Sequence, residues 1–580
     1  MSPRSTAKAT AKAATQATAK ATTKAAPLAP RAGLPVGVVP LADLRAHGAA
    51  FVALAGGDPA LDGYLPPLRR LEAQVKERRS RLEVRGRDAL WAAVDARAAR
   101  LGAPIPARQA IEAARRGAPV VFTGQQPGLL GGPAFTLYKA ATAVVLAREL
   151  SAVLGEPVVA LFWAATDDAD FDEIASATVA GPNLALRTVA LDPRLRDPEL
   201  MVGYLPAVAG REALAQARPV LASGSRGETA LELAGPVWER GQDWGEGFAA
   251  AIYALLGDQG LVVMDAREAA LRELARPFLA RALDDVAGFS ATVNAAGEAL
   301  ERAGLGRQLG EFASHFPFWH EEPPRRRRLG GDGAQAEPAG EARRILAGER
   351  GGALWPSAAL RPLVVDQLLP TVARVLGPAE VAYMAQLAPA YARLGVAPPP
   401  AVPRLTATLI PPRALRLAEG IGGEVGELLT AWGPAIETYY RRRLPPQVRG
   451  ALTELEAGQR DGFARAREVL GAFGPGLDQL VDSVAGKADF QLHRLWEAAV
   501  KREKSRSAAE DPELRHLPAF LRPDQGLQER RLAVVAALAL GGPEQVPAVL
   551  RQAEEHLAAM RAGRPGHFLL PIEPPLGIER

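Results

Sequence analysis

Two stretches hold residue types that could do chemistry together. In LFWAATDDADFDEI (161–174) the carboxylates Asp167, Asp168, Asp170, Asp172 and Glu173 follow directly on an apolar run. Carboxylates gathered at one place can hold an ammonium group, coordinate magnesium, or accept a proton from an attacking amine. Without a cation they repel one another, although Asp172 and Glu173 also suit the first turn of a helix, which leaves a plain solvated loop as the alternative. In TGQQPGLLGGP (123–133), Gln125 and Gln126 stand among glycines. Their amides both donate and accept, and so can orient an amide, a sugar hydroxyl or a carboxylate. Lys139 follows one helical turn beyond Phe135 and Thr136, within reach of an anion held by the glycine loop.

These side chains need elements to hold them. APVVF (118–122) reads as a short β-branched strand, and AFTLYKAATAVVLARELSAVL (134–154) as a helix, so the glycine loop lies in a strand–loop–helix unit. There the free N–H groups and dipole of the helix favour an anion. The loop matches neither GxxxxGK[ST] nor GxGxxG, and a tight turn would use the same residues. PVVALFW (157–163) gives the next strand, ending in the acidic loop; LRTVALD and GLVVMD (260–265) follow, the latter leading into another helix. Strands alternating with helices predict an α/β fold with an open, mostly parallel sheet, whose ligands lie at the carboxyl ends of the strands.

Around this unit, 34–101 reads as an amphipathic helical lead-in, 321–352 as an exposed insertion with Arg325–Arg328 in a solvated loop, and TATLI (406–410) as a closing strand. His315 and His320 have no ligand-like context. Beyond 412 the pattern is helical. Leu452, Leu455, Gln459, Gly462, Ala466, Val469 and Phe473, then Leu477, Val481, Val484, Ala488, Gln491, Leu495 and Ala499, recur at spacings of three and four on either side of Gly474–Pro475–Gly476. That predicts a helical hairpin or short coiled coil over 413–510 with a packing or dimerising seam, followed by a segment, 511–580, that returns to the core.

Composition narrows the field. With 580 residues, two or three domains are expected. The absence of cysteine excludes disulfides, thiolate metal sites and thiol nucleophiles and fits a cytoplasmic protein. Seven histidines in no zinc spacing argue against a zinc hydrolase, and no metal ligand set is assigned. No apolar run approaches the ~20 residues of a membrane span. Residues 1–32 carry six cations and no acid; setting these aside turns the chain's +4 into −2 for the rest, so only this Lys/Ala/Thr-rich tail, expected to be disordered, is suited to nucleic acid.

TGQQPGLLGGPAFTLYKA followed by FWAATDDADFDEI, with GLVVMD, LRPLVVDQLLPT, GPAEVAYMAQL and LQER in the same order, resembles the bacillithiol-biosynthesis cysteine-adding enzymes over roughly residues 33–580. The resemblance implies a Rossmann-like core (33–412) related to class I aminoacyl-tRNA synthetases and other nucleotidyltransferases, with a helical domain that can dimerise. It implies a ligase that joins the cysteine carboxyl to the amine of glucosaminyl-malate, with ATP activating the carboxylate. Carried over residue by residue, it makes Asp168 and Asp170 candidates for amine recognition or base work, Gln125 and Gln126 for orientation and Lys139 for charge stabilisation. Thr123, Gly124, Gly132, Thr136, Asp172, Arg361, Asp366, Tyr383 and Gln386 become substrate- or nucleotide-binding candidates, Arg361 for a carboxylate such as malate's. Trp163, Glu173, Pro362, Gly377, Pro378 and Glu380 also match. The chain departs from the family pattern at Thr166, Asp167 and Ala169, where relatives read like GEDHDFDE, and at Val365, where glutamine is common. Loss of that histidine removes a proton shuttle. Ala169 and Val365 motivate one rival reading, a divergent member acting on another amino acid and amine, and the hairpin seam with the basic tail motivates another, a dimeric interaction protein.

Overall fold

The computed structural model describes residues 37–572, except 83–85, 225, 235–236, 311–315, 331–336 and 508–511. The tail reading for 1–32 and His315 lie outside the described residues. Five strands form a wholly parallel sheet in the order β11-β10-β2-β3-β6: β2 Val120–Gln125, β3 Val159–Ala164, β6 Val262–Asp265, β10 Thr371–Leu376 and β11 Ala401–Pro403. Every residue of β3, β6 and β10 is buried, as it must be when helices cover both faces of a parallel sheet, so apolar residues run continuously instead of alternating.

The chain order places a switch point in this sheet. From β2 the chain passes through helix Phe135–Leu154 to β3 and on to β6 on one side, whereas β10 and β11 lie on the other side of β2. A crevice therefore opens at the carboxyl ends of β2 and β10, the place where open α/β sheets receive ligands. Helix Phe135–Leu154 is buried along most of its length, wedged between the sheet and helix Gln545–Arg561.

Several expectations require correction. The region 34–101 is not only helical: Val38–Pro40 forms β1 before the helices Leu71–Arg81 and Asp88–Arg100. The block LRTVALD does not join the parallel sheet; β4 (Ser176–Ala180) and β5 (Leu186–Ala190) make a separate antiparallel pair. TATLI does not close that sheet either. It supplies β12 (Ala407–Ile410), which pairs parallel with β13 (Gly566–Pro571), and β13 pairs antiparallel with β1, so three distant segments share one small sheet. The central strand β10 lay unread inside an apolar stretch whose helical and strand periodicities cannot be told apart.

The largest correction concerns 321–352. It is not an exposed loop: β7 (Phe318–Glu322), β8 (Arg325–Arg328) and β9 (Ala353–Pro356) form an antiparallel sheet in the order β8-β7-β9, with helix Pro338–Ala347 between β8 and β9. Arg326, His320 and Glu321 are buried in it. Arg272 bonds Glu321 at 2.7 and 2.9 Å and lies over the Trp355 ring, so the layer is anchored to helix Ala269–Asp284. The helical hairpin consists of Pro446–Phe473 and Leu477–Ser507. Among the described residues no helix is long and apolar enough to cross a membrane.

Candidate active site

A cavity of about 320 Å3 opens at the carboxyl ends of β2, β3 and β10. Thr123, Gly124 and Gln125 close β2, Trp163 closes β3, and Val375 and Leu376 close β10; Arg361, Tyr383 and Glu380 come from the helices flanking β10. Gly124 lies against Trp163 of the neighbouring strand. A Cβ there would lie 2.7 Å from the Trp163 carbonyl oxygen and 2.9 Å from its Cβ, so only glycine lets β2 reach the rim in register with β3.

One hydrogen-bonded chain crosses the rim. Lys139, buried on its helix, donates to the Gly124 carbonyl at 2.8 Å and to Gln125 Oε1 at 3.0 Å, and pairs with Glu380 at 2.7 Å. Gln125 Nε2 then donates to Gln126 Oε1 at 3.1 Å, and Gln126 Nε2 to Glu173 at 2.9 Å. Glu380 also accepts the Gly377 N–H at 2.6 Å, capping helix Pro378–Arg393. Burial lowers the Lys139 pKa, while the Glu380 charge opposes that shift. With all three ammonium protons engaged, Lys139 fixes the end of β2 and the orientation of Gln125 instead of reaching into the cavity.

The acidic loop distributes its charge among separate partners. Asp167 is fully buried, accepts Trp355 Nε1 at 2.7 Å and lies 3.6 Å from Arg361. Asp168 lines the cavity, takes an ion pair from the buried Arg326 and accepts the Ala169 N–H at 2.8 Å. Burial alone would push its pKa up, but Arg326 and Arg361 outweigh burial and hold it below the ordinary carboxylate value. Asp170 caps the short helix Phe171–Ile174 by accepting the Glu173 N–H at 3.3 Å, and Asp172 is exposed and paired with Arg196. Glu173 lines the cavity with one flank open to solvent. Lost hydration, together with the charges of Asp170 and Asp168, pushes its pKa up to about 7.

The structure thus gathers Thr123, Gly124, Gln125, Gln126, Lys139, Asp168, Arg361 and Tyr383 around one cavity, and leaves other candidates out of its lining. Gly132 (φ 76°) and Thr136 are buried beneath it, because the glycine loop is not an open phosphate cradle: Val534 N–H bonds the Gly132 carbonyl at 2.9 Å and Ala134 N–H bonds Leu532 at 2.7 Å. Asp366 is held by Arg374 at 2.9 and 3.0 Å and by the Tyr391 hydroxyl at 2.7 Å. Gln386 clasps the backbone of Leu309, a lining residue, at 2.9 and 3.0 Å. Asp170 and Asp172 are not among the lining residues. Val365, at the position where glutamine was expected, contributes an apolar patch.

Arg326 was missed because four consecutive arginines read as solvated, whereas strand alternation turns one of them inward. Arg404 was missed because its segment carries no motif, and Arg530 ends the LQER match but was given no role there; both line the cavity. Of the four lining guanidiniums, Arg374 and Arg404 hydrogen-bond carboxylates, while Arg361 has a buried Nε without a hydrogen-bond partner and Arg530 is exposed. Arg361 is nonetheless ion-paired with Asp167 at 3.6 Å, which leaves Arg530 the more open to an anionic ligand. Trp163 adds a buried, unpartnered indole N–H to the same lining. A second cavity of about 430 Å3 shares Pro378, Ala379 and Arg530 with the first. Among the described residues no three His, Asp or Glu side chains converge as a metal site. The Asp168 oxygens already face Arg326, Ala169 and Gln126, and those of Glu173 face amide donors, so the loop does not fit a protein-held magnesium ion.

Comparison with known proteins agrees with this architecture. The model of the bacillithiol biosynthesis BshC N-terminal Rossmann-like domain matches residues 63–405, and that of the BshC C-terminal coiled-coil domain matches 407–560. The protein named "Putative cysteine ligase BshC" from Solibacter usitatus (strain Ellin6076) is 31% identical over 495 residues, 84% of this chain and 91% of the relative. Proteins of the same name from Salinibacter ruber (strain DSM 13855 / M31) and Geobacillus kaustophilus (strain HTA426) are 28% and 29% identical, over 72% and 71% of this chain and 77% and 78% of theirs. A parallel sheet with its cavity at the switch point, a helical hairpin after it, and these matches along both parts lead to one conclusion: the chain belongs to the bacillithiol biosynthesis BshC family.

Proposed function

We propose that this protein is a carbon–nitrogen ligase that joins the carboxyl of cysteine to the amine of glucosaminyl-malate, after ATP has converted that carboxyl into an acyl-phosphate or acyl-adenylate. The observation that carries the reading is the polarity of the cavity. The lining mixes two kinds of group: Asp168, Glu173 and two glutamine amides suit an ammonium and its neighbouring hydroxyls, and Arg361, Arg530 and the Trp163 indole suit carboxylate or phosphate. The names of the relatives point to the same chemistry. Gln125 and Gln126, fixed by Lys139, orient the amine; Arg361 pairs with a carboxylate of malate or a phosphate. Holding the two reactants in one pocket of this size supplies the orientation that an amide-forming step needs.

The hairpin supports a homodimer. No residue of Pro446–Phe473 is buried, and Val469, Phe473, Leu480 and Phe490 are 67%, 84%, 58% and 60% exposed. So many large apolar side chains along one hairpin make a surface suited to a second copy.

Mass spectrometry of native protein incubated with ATP, magnesium, cysteine and glucosaminyl-malate tests the reaction, with Ala169→His in parallel. Bacillithiol from the native protein supports the ligase and shows the imidazole is dispensable. Product from the variant alone supports the divergent-member reading, and silence from both counts against this substrate pair.

A further inference from the structure

Three carboxylates line the cavity, Asp168, Glu173 and Glu380, and two of them are matched by a cation from another element. Asp168 is paired with Arg326, and Glu380 with Lys139. Glu173 has amides as its partners: Gln126 Nε2 donates at 2.9 Å and Gln125 Nε2 at 3.4 Å.

The direction of that amide chain is set from its far end. Lys139 can only donate, so Gln125 must turn its oxygen to Lys139 and its NH2 to Gln126, and Gln126 must turn its own NH2 to Glu173. Glu173 is thus held entirely by donors. Two of a carboxylate's roughly four lone-pair positions are occupied in this way, and a proton arriving at Glu173 takes one that the glutamines leave open.

Resting on the ligase reading above, we propose that Glu173 is the base that receives the proton given up by the attacking amine. The nitrogen lone pair forms the new C–N bond to the acyl carbon of a mixed carboxylic–phosphoric anhydride. The C–O bond to phosphate breaks, its electron pair leaves on the phosphate oxygen, and the surplus proton on nitrogen passes to the Glu173 carboxylate. The groups facing Glu173 tune it for this task. Lost hydration and the charges of Asp170, Asp168 and Glu380 raise its pKa, Lys139 lowers it, and the balance lies at about 7, where a base is both free to accept and strong enough to matter. Asp168, held low by its guanidinium neighbours, is the weaker base.

Glu173→Gln keeps the shape and removes the base. The expected result is a kcat lower by ~100-fold or more and loss of the native fall in rate as pH drops through about 7; Glu173→Asp should restore part of the rate. A second readout does not depend on turnover. Calorimetry of glucosaminyl-malate binding in two buffers of different ionisation heat counts protons exchanged near pH 6; seating an ammonium beside Glu173 should release protons from the native protein and not from Glu173→Gln. If native protein turns over and Glu173→Gln matches its rate and pH profile, the assignment of Glu173 is overturned while the ligase reading stands. If native protein makes no product, the ligase reading fails, and the proton count decides the assignment: release lost in the variant supports Glu173 as the acceptor, and equal counts overturn it.

Discussion

Arg326 and Asp168 show how one pair of residues ties an inserted layer to the active-site rim. Arg326 is 4% exposed and lies over the Trp319 ring, its Nε and one Nη have no hydrogen-bond partner, and the carboxylate it pairs with is Asp168. Arg326→Met would leave Asp168 without its main cation, and removing one member of a buried pair is expected to destabilise the fold by about 3 kcal/mol at pH 7, read as a shift in the urea midpoint. Because the Asp168 pKa is depressed on folding, its stabilisation is present above about 3.8 and fades as pH falls below that; the variant's deficit should shrink over the same range. Glu173 behaves in the opposite sense. Its folded pKa of about 7 exceeds its ordinary 4.5, so the stability it contributes is complete below 4.5 and disappears as pH rises to about 7. Urea midpoints of native protein should therefore fall relative to Glu173→Gln across that window; parallel curves would contradict the assigned environment.

At the scale of elements, the cavity depends on how closely β2 and β3 approach. Gly124→Ala puts a methyl group 2.7 Å from the Trp163 carbonyl oxygen, a contact that the backbone of β3 cannot relieve without moving. Overpacking of this kind typically costs 1–3 kcal/mol, so we expect a loss of about 2 kcal/mol in equilibrium unfolding, accompanied by weaker substrate binding, because Gln125 rides on the same strand. Lys139 reinforces that strand end from the helix behind it through the Gly124 carbonyl. The long-range pairing of β1, β13 and β12 does comparable work elsewhere, joining segments from both ends of the described chain into one sheet.

At the scale of the whole molecule, the hairpin presents its apolar side chains to solvent while the α/β body buries a continuous core. A double substitution, Phe473→Ser with Phe490→Ser, removes two of the most exposed apolar side chains on the hairpin. We expect sedimentation velocity to show a native dimer converted to monomer, with the cavity's ligand affinity unchanged if each active site is built by one chain. A native protein that sediments as a monomer at all concentrations would refute the proposed dimer.

Sequence alone determined the features that rest on local physics. Short β-branched runs before glycine and helical periodicity identified the α/β core, three- and four-residue spacing around Gly474–Pro475–Gly476 identified the hairpin, and the clustering of acids and amides marked groups that the fold brings together at one cavity. Tertiary structure decided which charges are free. Asp168 and Lys139 look like chemical groups in the sequence and are matched by Arg326 and Glu380 in the fold, residues 158 and 241 positions away. Asp366 and Gln386 brace the walls from behind. The strand β10 and the inward turn of Arg326 were illegible for the same reason: burial on both faces erases periodicity, and a charge is engaged or available only according to what the folded chain brings beside it.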